Sequence, residues 1–190
     1  MESTPTVTAC IRAYIDKAKL GLAGTTDHGI EGATILGYER TARRLEPHFR
    51  DVLITDLEPM AISEWEVTQI SEGVSRNAIG KCHRLLNAAC GEAVRMGQIE
   101  VNPVTAVKAP KRVKPRPNSL EQEQMRDLIA RLLEMDPTPV ATAAFLGLHL
   151  GLRLGEICGL RWRDVSFDED GIYVRQSIGQ GPGGTYVKKP

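Results

Sequence analysis

Residues 108–117 read Lys-Ala-Pro-Lys-Arg-Val-Lys-Pro-Arg-Pro, with five basic residues, three prolines and no acid. Proline inside a helix removes a donor and clashes with the preceding turn, and it cannot donate to a sheet ladder, so no regular element passes through this stretch. The chain is therefore expected to divide into residues 1–107 and 118–190, joined by an extended, semi-rigid tether over 108–117. Lys111, Arg112, Lys114 and Arg116 in such a tether can follow a phosphate backbone without reading base sequence. The bland alternative is an ordinary tether kept soluble by charge.

Whole-chain charge says nothing about nucleic acid, because 24 basic residues balance 24 acidic ones. Distribution says more: from Arg76 to Arg116 nine basic residues stand against two acids, Glu92 and Glu100. A local excess of this kind counts for more than overall isoelectric point.

The first part carries helical periodicity and no convincing strand. Ile11, Tyr14, Ile15 and Ala18 lie at helical spacing, as do Ile35, Leu36, Ala42 and Leu45, with Pro47 expected to end that second helix. Pro59 suits the first turn of a third, whose buried face would be Ile62, Trp65 and Ile70. A fourth helix is predicted over 76–96, capped by Ser75. At 100° per residue from Arg76, the residues Ile79, Cys82, Leu86, Ala89, Ala93 and Met96 fall within about 200° to 300°. Asn77, Lys81, Arg84 and Arg95 fall at about 80° to 140° on the same wheel. One face packs and another is basic, over a length of roughly 31 Å that suits contact with a DNA groove or backbone. A solvated charged face is the competing reading.

After the tether, Ser119 with Gln122 reads as a capping box, followed by Met125, Leu128, Ile129, Leu132 and Leu133 on one helix. Asp136-Pro137-Thr138-Pro139 breaks it. A buried helix over 140–150 and a short one over 154–160 are expected to meet at Gly151. The period then changes: 171–178 reads as a strand, 185–188 as its partner, and the glycine-rich 179–184 as the connecting loop. No Gly-Lys-Ser/Thr follows those glycines, which excludes a nucleotide-binding loop.

Among Leu148, Leu150, Leu152, Leu154, Ile157 and Leu160 stands one arginine, Arg153. In an interior segment an arginine needs an anionic partner or a route to water. Glu156, three residues on, can meet it, and such a pair could equally do no more than tie one helical turn.

The run Gly151-Leu152-Arg153-Leu154-Gly155-Glu156, with Leu160, Trp162 and Asp164, resembles the opening of the catalytic domain of tyrosine recombinases, the phage-integrase family. The first part is similar to that family's core-binding domain, through Tyr38, the Leu45-Glu46-Pro47-His48-Phe49 helix exit, Leu57 and Pro59. Further matches are Gly73-Val74-Ser75, Ala93-Val94, the run Gly97-Gln98-Ile99-Glu100-Val101-Asn102-Pro103-Val104, Val107 and Pro110. The resemblance implies a mainly α fold: an N-terminal SAM-like helical bundle as core-binding domain (1–107), the basic linker (108–117), then the helical start of an α+β catalytic domain ending in a β-hairpin (118–190). It implies that Arg153 grips the scissile phosphate, as a planar fork of donors can, and that Glu156 steadies it. Lys81, Arg84, Arg95, Lys111, Arg112, Lys114 and Arg116 would hold duplex DNA, in a C-shaped clamp that family members assemble into tetramers on two sites.

Members of that family integrate and recombine DNA through a 3′-phosphotyrosyl intermediate, without metal or nucleotide cofactor. A lysine in the hairpin acts as general acid there, and Lys189 stands near that place without matching its Lys-Thr setting. The family's His-x-x-Arg motif and nucleophilic tyrosine have no counterpart in these 190 residues. The chain by itself is therefore expected to bind DNA and not to recombine it. The alternatives are a non-catalytic DNA-binding module and a helical protein-interaction domain.

Cys10, Cys82, Cys90 and Cys158 are scattered and no long apolar run accompanies them, so reduced core thiols in a cytoplasmic protein are expected, with no membrane partner. The step from Cys82-His83 to Cys90 is not a structural zinc spacing, and no metal is expected.

Overall fold

Thr6 and Ser75 show how the chain starts its helices: the Thr6 hydroxyl accepts a hydrogen bond from the Ala9 amide, and the Ser75 hydroxyl one from the Ala78 amide, each at 3.2 Å. These caps satisfy amides that have no partner inside the helix. They open α1 (Val7–Lys19) and α4 (Arg76–Arg95), between which lie α2 (Gly32–Phe49) and α3 (Pro59–Ser71), the last with proline in its first turn. The computed structural model describes residues 4–23, 30–114 and 118–188 and separates into two units, Met1–Lys114 and Pro115–Pro190.

In the first unit α4 is the central element, packing against α1, α2 and α3. Ile79, Cys82, Leu86, Ala89 and Ala93 are buried as their spacing predicts, joined by Leu85, His83 and Cys90 because neighbours cover α4 on more than one side. Met96 departs from the prediction and is exposed, since the helix has ended at Arg95 and Gly97 turns the chain away with φ +69°. Ile11, Ile15, Leu45, Ile62 and Val104 complete an apolar core from which water is excluded. One buried polar pair bridges α3 and α4: His83 Nδ1 lies 2.7 Å from Glu66 Oε1. Pro47 does not end α2. It sits in the last turn, where it gives up a single bond to the Arg43 carbonyl with only two helical residues to follow, and the helix runs on to Phe49, whose buried ring meets Trp65 edge-on at 5.5 Å.

Cys10, Cys82 and Cys90 are core residues, and burial pushes the Cys82 thiol up to about 11 and Cys90 up to about 12. Cys158 corrects the expectation of four core cysteines: it is exposed, on a short helix that few elements cover.

The second unit comprises α5 (Gln122–Glu134), α6 (Pro139–Leu150), α7 (Leu154–Gly159) and two hairpins. The cap of α5 is Glu121 rather than Ser119, with Gln124 Oε1 accepting from the Glu121 amide at 3.0 Å. The same three-residue pattern acts two positions later. The segment 171–178 is not one strand. β1 (Val165–Ser166) pairs with β2 (Gly171–Ile172), while β3 (Ser177–Gly181) pairs with β4 (Gly184–Lys188), Ser177 opposite Lys188 and Gly181 opposite Gly184. Between the two pairs the Tyr173 amide turns to the Asp164 carbonyl at 2.8 Å. Most of the glycine-rich run thus belongs to the hairpin's strands, because ladder pairing outweighs glycine's weak strand preference.

The expected burial of 140–150 also fails: in α6 only Ala141 is buried, and Val140 and Leu150 are exposed. α6 meets α5 and α7, and much of its surface has no neighbour. Tight packing occurs instead between α7 and β3. A Cβ on Gly155 would lie 2.7 Å from the Ile178 carbonyl oxygen, and one on Gly159 2.8 Å from that of Gln176. Gly155→Ala should therefore lift α7 from the strand and cost roughly 1–3 kcal/mol, as overpacking does. Urea unfolding checks it, and an unchanged midpoint would show the packing there to be loose.

No helix among the described residues is long and apolar enough to cross a membrane.

Candidate nucleic-acid interface

The Ser75 cap puts Arg76 in the first helical position, and Lys81 and Arg84 follow on the same side of α4. Across that side runs the segment 108–114, held by an exchange of two hydrogen bonds. Asn77 Nδ2 donates to the Val113 carbonyl at 2.9 Å, and the Val113 amide donates to Asn77 Oδ1 at 3.0 Å. Helix and segment together enclose a cleft of about 360 Å³ in which Arg76, Lys81, Arg84 and Arg112 stand with no acid among the lining residues. A second cleft, about 270 Å³, adds Lys108 and Lys111 beside Arg76 and reaches the buried Glu66. Four guanidinium or ammonium groups around one opening give a strongly positive potential suited to phosphate oxygens.

Three of the expected basic residues, Lys81, Arg84 and Arg112, are thus brought together, with Lys111 next to them. Lys114 is exposed on the same segment and lines neither cleft. Arg95 stands apart. It lies three turns farther along α4, roughly 16 Å away at 1.5 Å per residue, and its Nε donates to Glu92 Oε2 at 2.8 Å. Glu92 also accepts from Lys17 Nζ at 2.5 Å, and Lys17 with Arg95 holds that carboxyl below the usual carboxylate range. Arg116 and Lys189 lie outside the described residues.

Two sets of residues escaped the sequence reading. Arg76 and Lys108 line the clefts, and both were legible as members of the basic run. On α2, Arg40, Arg43 and Arg44 form an exposed face at spacings of three and four residues. The Arg44 guanidinium is near enough to the Cys82 thiol to oppose its rise, so this face adjoins α4. Helical spacing could have revealed the α2 face; its neighbour could not be known without the packing.

In the second unit Arg153 caps α7. Gly151 ends α6 in the left-handed region at φ +66°, and the chain turns through Leu152 into the extended backbone of Arg153. Glu156 Oε2 accepts from the Arg153 amide at 2.8 Å, and Glu156 Oε1 accepts from Arg153 Nη1 at 3.0 Å. The amide first and the guanidinium second hold the Glu156 carboxyl below its ordinary range. The expectation of a buried Arg153 is corrected: its side chain is 87% exposed, against 22% for Glu156. α7 turns its glycines toward β3, and the cap residue at its end projects outward. An exposed arginine pays no desolvation cost, so it needs no partner for stability and keeps most of its donors for a ligand.

Nearby, Asp164 is buried and gathers arginines. Arg161 Nε donates to its Oδ2 at 2.7 Å and Arg175 Nε lies 3.5 Å from its Oδ1. This arrangement anchors the turn that leads into β1.

No family model matches the chain. It is 27% identical over 168 residues to an integrase of Enterobacteria phage 434, a match covering 88% of this chain and 45% of that protein. A tyrosine recombinase XerC of Xanthomonas campestris is 28% identical over 164 residues, covering 73% of this chain and 49% of that one. Among solved structures, the Tn1549 transposon integrase in complex with a circular intermediate DNA superposes with a TM-score of 0.73 at 23% identity, over 97% of this chain and 57% of the other. A lambda integrase tetramer bound to a Holliday junction gives 0.70 at 20% identity, over 97% and 51%. The chain spans about half the length of these relatives. Sequence similarity along most of its own length, together with the shared fold, makes this chain a relative of the phage integrases and tyrosine recombinases.

Proposed function

We propose that the chain is the DNA-binding N-terminal portion of a site-specific tyrosine recombinase. In this reading residues 1–107 are the core-binding domain, 108–117 the linker and 118–190 the start of the catalytic domain. The observation that carries it is the acid-free cleft walled by Arg76, Lys81 and Arg84 of α4 and by Arg112. Lys81, Arg84, Lys111, Arg112, Lys114 and Arg116 hold phosphates of the duplex; Arg95, committed to Glu92, contributes less. Arg153, steadied by Glu156, presents its fork to the scissile phosphate, and Lys189 is at most a weak stand-in for the general acid. The longer protein would integrate and recombine DNA through a phosphotyrosyl link in the cytoplasm, as a tetramer on two sites, with no metal or nucleotide. Residues present here bind and orient DNA; none supplies the nucleophile.

The test is duplex affinity measured against salt. Binding should fall with a log–log slope of about −6, since about seven neutralised phosphates, at Arg76 and the six basic residues named above, release ~0.9 counterion each. Affinity that is absent at low salt, or indifferent to salt, would replace this reading with a helical protein-interaction domain.

A further inference from the structure

Among the described residues, Asn77 makes the side-chain hydrogen bonds that hold segment 108–114 in place. All of its residues except Pro110 are exposed, and the Val113 side chain, its one large apolar group, is 54% exposed. Among the described residues its apolar burial is limited to half-buried Pro110. A lysine- and arginine-rich segment beside a basic helix should instead be repelled from it. Yet the segment lies on α4, and the interactions that put it there are specific. The Asn77 carboxamide exchanges two hydrogen bonds with the backbone of Val113, as one residue of an antiparallel ladder does with its opposite. One turn along, the segment passes over Gly80, where no side chain intervenes: the Pro110 carbonyl oxygen is 3.9 Å from the place a Cβ would occupy, and Arg84 Nη1 is 3.8 Å from it. Asn77, Gly80 and Arg84 share one face at spacings of three and four.

We propose that Asn77 is a positioning residue that docks this segment on α4 and so completes a preformed phosphate seat, with Arg112 on one wall and Arg76, Lys81 and Arg84 on the other. This role rests on the DNA-binding reading and deepens it, since it makes a segment that composition marks as a semi-rigid tether part of a preformed site. Docking removes, before DNA arrives, the chain freedom that binding would otherwise have to remove. It also holds like charges together, which a phosphodiester then neutralises. Asn77 itself need not touch DNA.

The experiment uses the full chain, with two variants, Asn77→Ala and Arg112→Ala, and their combination. Circular dichroism confirms that each folds. Amide exchange at Val113 reads docking directly and should accelerate at least tenfold in Asn77→Ala. Duplex affinity should weaken several-fold, and the salt slope should shrink by about one to two, as one or two phosphates disengage. If Asn77 acts by placing Arg112, the combined variant should bind no worse than Asn77→Ala alone. A wild-type salt slope in Asn77→Ala, or strictly additive losses in the combined variant, overturns the placing of Arg112. Unchanged Val113 exchange overturns the docking whatever the DNA result. A wild-type chain without duplex affinity, in which Asn77→Ala still accelerates Val113 exchange, sinks the DNA reading and retains Asn77 as the anchor of the segment.

Discussion

Replacing Arg76, Lys81 and Arg84 together by alanine is expected to weaken duplex binding about a hundredfold near 0.1 M salt and to lower the salt slope by about three, one for each phosphate no longer neutralised. The fold should survive, because all three side chains are exposed, while Leu85, Leu86 and Ala89 of the same helix carry the packing. Arg95→Ala is the informative control. Its charge is already shared with Glu92, and it stands well along the helix from the cleft, so its affinity should stay within about twofold of wild type. Fluorescence anisotropy over a salt series measures both. Equal losses from Arg95→Ala and the triple variant would move the interface away from the cleft and toward the far end of α4.

Leu86→Ala should be the most damaging single substitution to stability among those considered. Leu86 is 0% exposed, in the middle of the helix against which the other three pack. Deleting buried leucine methyls from a site that cannot collapse costs roughly 2–5 kcal/mol. In a unit of this size that is a fall of the order of 15 °C in the melting midpoint. Leu154→Ala offers the contrast. Leu154 is 70% exposed, so its loss should change stability by less than about 0.5 kcal/mol. Calorimetry of the two variants compares the units by their cores; a large loss from Leu154→Ala would mean that the leucines around Arg153 are covered in solution.

That contrast also shows where sequence reasoning succeeded. In the first unit the 3.6-residue period found Ile79, Cys82, Leu86, Ala89 and Ala93 of the buried part of α4, missing Gly80, His83, Leu85 and Cys90, and Ser75 marked its start, because local capping chemistry and burial of that face act together. The second unit broke the correspondence. Its leucine-rich run 148–160 satisfies every compositional criterion for an interior, but burial requires neighbours, and α6 and α7 have them on limited sides only. Arg153 therefore changes character. It is not a buried charge seeking a counterion but an exposed fork, aimed by the cap geometry of α7 and held by Glu156. The glycines of the motif around it have a structural reason that hydrophobicity could not supply. Gly155 and Gly159 are there because the Ile178 carbonyl of β3 lies against the first and the Gln176 carbonyl, just before β3, against the second.

By itself the sequence determined the helical first part with its capped and amphipathic α4, the local excess of positive charge, and the Arg153–Glu156 pair. All of these depend on interactions between residues close along the chain, whose geometry the backbone dictates. Tertiary structure alone decided which charges converge. Arg76 and Arg112 are 36 residues apart and meet because Asn77 captures Val113, whereas Lys81 and Arg95, on one face of one helix, are separated by its length and by Glu92. Spacing along a chain specifies which side of an element a group occupies; only packing specifies which other element lies beside it.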